Sequence, residues 1–208
     1  MTDLERMGAG QLYHPGDEAL AKARMRARVL CRRYNTTDPE DFQGRDAILR
    51  ELLGSVGKDA YIEPSLCCDY GTQIHLGDFF YANFDCVFLD AGTITFGSRV
   101  YVAPRVCFYT VNHPMVPEIR NTDLEYARPI TVGDNVWIGG NAVILPGVTI
   151  GSGSVLAAGA VVNQDIPENV LAGGNPCRVL RPLTEKDHAK WEAARREYEA
   201  VCSYGRKG

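Results

Sequence analysis

The chain has four histidines, His14, His75, His113 and His188, and one of them stands where chemistry can be concentrated. In the run Phe108-Tyr109-Thr110-Val111-Asn112-His113-Pro114 the imidazole comes just before a long stretch, Pro114 to Pro129, that interrupts an otherwise regular sequence. A neutral imidazole near pH 7 takes a proton from a hydroxyl readily, and a flanking loop is able to act as a lid over it. Glu125, within Asp123-Leu124-Glu125-Tyr126, has two readings: a carboxylate that orients the ring and stabilises the imidazolium, or a solvated loop side chain.

The element that must position His113 is set by an unusual period. From Val132 to Val162 an aliphatic residue falls at every sixth position: Val132, Ile138, Ile144, Ile150, Leu156 and Val162. A helical face repeats near 3.6 residues and a half-buried strand at 2, so a lasting period of six predicts a solenoid of short strands and corners. Three hexads close one triangular turn. The first residue points inward, the second is often Gly, for which unusual backbone angles are the expected reason, and the fifth (Val136, Ala142, Val148, Ser154, Ala160) is small or branched.

Carried backwards, the register gives Val56, Ile62 and Cys68, then Leu76, Ala82 and Phe88, then Phe96, Val102 and Phe108. Two extra residues, Ile74-His75 and Ile94-Thr95, separate these sets and are expected at a corner. The predicted turns are 56 to 73, 76 to 93, 96 to 113, 132 to 149 and 150 to 167, with a partial turn near 170 to 175. A β-sandwich is the competing architecture, but its strands alternate at period two.

The flanks read as helices. Asp17 caps a segment from Glu18 to Arg33; Asp38, followed by Pro39, opens a second that Gly54 ends; and Thr184 caps Glu185 to Val201, whose stripe of Trp191, Ala194 and Tyr198 is expected to cover an end of the prism. The domain organisation is therefore an N-terminal helical segment (1–55), a solenoid (56–182) with its excursion at 114–129, and a C-terminal helix and tail (183–208).

Composition fits one domain. With 22 Lys and Arg against 26 Asp and Glu, the formal charge is −4 and no basic stripe suggests nucleic acid. No apolar stretch approaches the roughly 20 residues of a membrane span, and MTDLERMGAG lacks the features of a signal peptide, so the expected location is the cytoplasm. Seven cysteines without CxxC spacing read as free thiols.

Several motifs together resemble the hexapeptide-repeat sugar O-acetyltransferases, in particular the maltose, galactoside and nodulation-factor group. They are the hexads, Phe80-Tyr81-Ala82-Asn83-Phe84, Asn112-His113-Pro114, Val136-Trp137-Ile138-Gly139-Gly140, the close Gly173-Gly174-Asn175-Pro176-Cys177-Arg178-Val179, and Gly10-Gln11-Leu12-Tyr13 near the start. The resemblance implies a left-handed parallel β-helix assembled as a homotrimer with sites between subunits, using acetyl-CoA and no metal. It implies that His113 is the general base in a direct transfer within a ternary complex, and that the backbone N–H of Gly140 meets the oxyanion. Asp69, Asn83 and, by a less definite correspondence, Asp17 match acceptor-binding positions. Trp137, Ala158 and Asn163 match positions along the CoA arm. Arg178 and Arg181 match cations near the nucleotide phosphates, although both are also placed to bind carboxylates of the C-terminal helix. After Tyr13 the family usually has an acid where this chain has His14.

Two alternatives share the fold. An acetyltransferase of an antibiotic or amino acid would differ in its loops. A metal-dependent hydratase like the gamma carbonic anhydrases needs three histidines on zinc; His75 and His113 fall at one corner in this reading, but two turns apart, about 9–10 Å, with no third partner.

Overall fold

The computed structural model describes residues 1–205. Hexads that cannot bury their inward residues alone do so by stacking, and the result is a three-faced β-solenoid of about six turns. Its first face stacks Ser55–Val56, Ile74–Leu76, Ile94–Phe96, Ile130–Val132 and Thr149–Ile150, extended by a parallel bridge from Ile150 to Ile166. The second stacks Tyr61–Ile62, Tyr81–Ala82, Tyr101–Val102, Trp137–Ile138, Val155–Leu156 and Val170–Gly173, and is closed by the antiparallel Arg178–Pro182. The third stacks Cys67–Cys68, Val87–Leu89, Cys107–Tyr109, Val143–Ile144 and Val161–Val162. Neighbouring strands within each face are otherwise parallel.

The predicted register holds. Val56 pairs with Leu76, 20 residues on, whereas Val132 pairs with Ile150, 18 residues on. The extra residues do not all sit in a corner, however. His75 and Thr95 are strand residues of the first face, and Ile74 and Ile94 lengthen their strands. The corner between the third and first faces holds Asp90. Its carboxylate is buried and accepts hydrogen bonds from the N–H groups of Asp69 (2.9 Å) and Tyr70 (2.8 Å).

The reason for the second-position glycines differs from the expectation. Gly133, Gly139 and Gly151 do not have left-handed backbone; a Cβ on Gly139 would lie 2.5 Å from Ala158 N, and one on Gly151 2.5 Å from Glu168 N. They are small because the next turn is stacked directly against them. Left-handed conformation falls instead at the fourth position, in Asp59, Phe79, Asp85, Arg99, Arg105, Asn135 and Asn141, where each corner reverses the chain.

Inside the prism the aromatics form a continuous column. Phe88 and Phe108 stack at 5.2 Å with planes 5° from parallel, and Phe96 meets Phe108 edge-on at 5.0 Å. Ser154 is the polar exception at a small inward position; its hydroxyl donates to Pro167 O at 2.6 Å, so its burial leaves no unpaired group.

Helices close the N-terminal end. A short α1 (Asp3–Gly8) begins with a capping box of Thr2 and Glu5 that has no counterpart in the predicted elements. In α2 (Glu18–Asn35) Asp17 is the cap, accepting from Ala19 N and Leu20 N. Asp41, rather than Asp38, caps α3 (Phe42–Leu52), because Asp38 and Pro39 form a preceding turn. Leu30, Tyr34, Leu49 and Leu52 join Ile62 and Leu66 in one core. A short α4 (Pro117–Arg120) lies within the excursion. The last helix, α5 (Glu185–Gly205), does not cover an end of the prism. Trp191 and Tyr198 remain 67% and 68% exposed along it. Among the described residues no helix is long and apolar enough to cross a membrane.

Candidate functional site

Where the excursion leaves the third face, Val111–Asn112 pairs antiparallel with Tyr126–Ala127 and so brings both stems of the loop together. His113 follows immediately, half-exposed, with its N–H donating to Asn112 Oδ1 at 3.2 Å. Glu125 precedes the returning strand. Its Oε1 lies 3.8 Å from His113 Nε2, a charge contact too long for a hydrogen bond.

The other carboxylate oxygen is held from the far end of the chain. Tyr13 OH donates to Glu125 Oε2 at 2.8 Å, and the two residues also exchange backbone hydrogen bonds of 3.0 Å each. Tyr13 is buried with Met7, Leu20, Tyr70 and Ala127. Burial, reinforced by the Glu125 carboxylate, pushes its phenol above the usual range, so it stays a donor. In the sequence Tyr13 stands only as part of the Gly10-Gln11-Leu12-Tyr13 motif, and no local spacing links residue 13 to residue 125.

Around this pair is a cavity of about 500 Å³ lined by His14, Gly16, His113, Arg120, Asp123 and Glu125 among others. His14 Nδ1 accepts the Gly16 N–H at 3.0 Å, which leaves Nε2–H as the donor of the neutral ring. Arg120 was not singled out in the sequence, and its only signal was membership of the loop.

Of the candidate acceptor residues, Asp69 lies near this cluster. Burial raises its carboxyl above the ordinary range, Arg24 and Arg28 oppose that, and the nearby Glu125 charge adds to it. Asp17 is engaged as the α2 cap. Asn83 is elsewhere: it follows a second-face strand, accepts from Phe84 N, and lines a shallow depression with Tyr81, Tyr101, Ala103 and Trp137.

The candidate cofactor residues gather on that same second face and its following corner, except Asn163, which follows the third-face strand Val161–Val162. Trp137, 56% exposed, lines both the depression and a groove of about 950 Å³ between the second face and α5. Ala158 stacks directly beyond Gly139, and Asn163 Oδ1 accepts from Arg178 at 3.3 Å. Arg181 makes two bonds to Asp187, 2.7 and 2.8 Å, so here it binds a carboxylate of α5. Gly140 is less confined than Gly139: an added Cβ would lie 3.3 Å from Pro104 O, a tight contact rather than the 2.5 Å overlap with backbone at Gly139. The chain thus separates two groups, His113 with Glu125 on one edge of the prism and Asn83, Trp137 and Gly140 towards another. His75 belongs with neither; it lies in a first-face strand with Nδ1 3.0 Å from Ser55 Oγ, not at the corner shared with His113. Among the described residues no group of three His, Cys, Asp or Glu is placed to hold a metal ion.

Comparison with known proteins is consistent along the chain. Residues 6–57 match the maltose acetyltransferase hexapeptide capping motif and residues 129–164 the bacterial transferase hexapeptide. Galactoside O-acetyltransferase of Escherichia coli K12 is 42% identical over 187 residues, 90% of this chain and 92% of that protein. The crystal structure of a maltose O-acetyltransferase from Clostridium difficile 630 superposes with a TM-score of 0.88 at 47% identity, covering 88% of this chain and 98% of that one. A galactoside acetyltransferase in complex with coenzyme A gives 0.88 at 41% identity, covering 90% and 94%. The capping-motif match, together with relatives named as O-acetyltransferases over most of their length, makes the chain an acyltransferase. More narrowly, the chain belongs to the family of the maltose and galactoside O-acetyltransferases.

Proposed function

We propose that this protein transfers the acetyl group of acetyl-CoA directly to a hydroxyl of a sugar, with His113 as the general base. The observation that carries the reading is the contact of His113 with a carboxylate that Tyr13 holds in place. As the acceptor oxygen attacks the thioester carbonyl, its proton passes to His113, and Glu125 stabilises the imidazolium that forms; the tetrahedral intermediate then collapses with cleavage of the C–S bond, and the departing CoA thiolate takes the proton back from His113. The oxyanion needs a donor, and Gly140 N–H is our choice: glycine there leaves room for the ligand to approach the backbone. One such donor is worth about 2.7–4 kcal/mol. Asp69 and Asn83 would recognise acceptor hydroxyls, Asp17 being a lesser candidate because it caps α2. Trp137, Ala158 and Asn163 would line the pantetheine arm, and Arg178 and Arg181 would serve the phosphates.

The separation of His113 from Asn83, Trp137 and Gly140 supports a homotrimer in which each site joins the His113 edge of one subunit to the second face of its neighbour. Seven unpaired cysteines suit a cytoplasmic location.

A panel of sugars assayed by release of free CoA tests the acceptor class; silence on all of them, with turnover on an antibiotic or amino acid, would overturn it. For the shared site, inactive His113→Ala and Trp137→Ala proteins are mixed under conditions that exchange subunits. Regained activity is expected. Its continued absence, with exchange verified by mass, would place the whole site within one subunit.

A further inference from the structure

The Sγ atoms of Cys31 and Cys68 are 3.5 Å apart, although 37 residues separate them in sequence. Cys31 is on the face of α2 that packs against the first turn, and Cys68 ends the first strand of the third face. Both line an open cleft of about 500 Å³ together with Arg28, Arg32, Asn35 and Asp69, so small solutes reach the pair from the surface.

We propose that Cys31 and Cys68 form a dithiol redox site that hydrogen peroxide closes to an intramolecular disulfide. The sulfurs are already in contact, and the bonded distance near 2.05 Å requires an approach of about 1.5 Å. The roles follow from the contact. Either sulfur can donate across this contact; a bond donated by Cys68 favours the Cys31 thiolate and lowers its pKa, whereas the contact and burial raise that of Cys68. Arg28 and Arg32 line the cleft, while burial and the Asp90 carboxylate oppose the Cys31 thiolate without cancelling the effect of the contact.

Cys31 thiolate attacks one oxygen of the peroxide; the O–O bond breaks, the departing hydroxide takes a proton and leaves as water, and Cys31 becomes a sulfenic acid. Cys68 then attacks that sulfur, its proton and the sulfenic hydroxyl leaving as a second water. Two thiols are oxidised by two electrons in all and one peroxide is reduced to two waters. Cys67, adjacent and exposed, alternates to the other side of its strand but lines the same cleft, so the variants below separate its part from that of Cys68.

The bond would staple α2 to the turn that carries Asp69 and Tyr70. The same helix already reaches that turn through Arg24, which donates to Tyr70 OH at 2.8 Å.

The full-length protein is titrated with hydrogen peroxide, blocked with N-ethylmaleimide and digested without reductant. The expected product is a cross-link between the peptides holding Cys31 and Cys68, present in wild type and in Cys67→Ser, absent from Cys68→Ser, and reversed by dithiothreitol. Cys31→Ser should also lose it. Alkylated Cys31 and Cys68 after peroxide has oxidised Cys67 would overturn the proposal, as would a cross-link that survives Cys68→Ser and disappears in Cys67→Ser.

Discussion

Glu125 stands between His113 and Tyr13, its Oε1 3.8 Å from His113 Nε2 while Oε2 accepts from Tyr13 OH. A carboxylate held in this way contributes most when the imidazole becomes charged, which is in the transition state. Glu125→Gln should therefore lower kcat about tenfold, equivalent to about 1.4 kcal/mol, with little change in KM for either substrate. Tyr13→Phe should act in the same direction and more weakly. A KM effect without a kcat effect would assign Glu125 to substrate binding instead.

His113→Ala removes the proposed base itself. Acetyl transfer should fall by about 10²–10⁴, whereas CoA affinity, measured by calorimetry, should stay within a factor of about two. Near-normal turnover would mean that the base is elsewhere.

The sequence displays what repeats and hides what occurs once. A period of six is visible because each inward residue, such as Ile138 or Leu156, meets the same geometry in every turn. The physical reason for Gly139 was not visible, since steric contact with Ala158 and a special backbone angle leave the same residue type. Tyr13 reaches Glu125 across 112 positions, and no spacing rule spans that distance. The exposed stripe of α5 reads in sequence like any buried face, because periodicity reports that a helix has an apolar side and not what covers it. Arg181 carried both readings, phosphate or carboxylate, and its bonds to Asp187 show that the second is made in the chain as it stands.

That difference separates the two arginines in a binding experiment. Arg178 contacts neutral oxygens, Asn163 Oδ1 and Cys177 O, and among the described residues no carboxylate pairs with it. Arg178→Ala should weaken CoA binding by about ten- to a hundredfold, the scale of one charge-assisted hydrogen bond to phosphate at about 1.5–3 kcal/mol. Arg181→Ala should have a smaller effect, because the Asp187 pair must open before Arg181 meets a phosphate. Calorimetric titrations with CoA and dephospho-CoA check both, and equal affinities of the wild type for the two ligands would remove the 3′-phosphate from the account.

Asp90 links the corner between the third and first faces to the pH dependence of stability. Burial raises its carboxyl from 3.8 to about 6, although the N–H groups of Tyr70 and Asp69 favour the charged form. The folded chain therefore binds this proton more tightly than the unfolded chain does. The stability it contributes is complete below about pH 4 and is lost as pH rises through about 6. A shift of this size corresponds to about 3 kcal/mol. Asp90→Asn keeps an oxygen for the Asp69 and Tyr70 N–H groups but does not ionise, at the cost of the longer 3.4 Å bond that Oδ2 accepts from Gln73 N. Relative to the variant, wild type should lose about 3 kcal/mol between pH 4 and pH 7 in denaturant titrations at fixed protein concentration. Parallel profiles would show that the corner holds Asp90 equally well in both protonation states, and that its hydrogen bonds outweigh its burial.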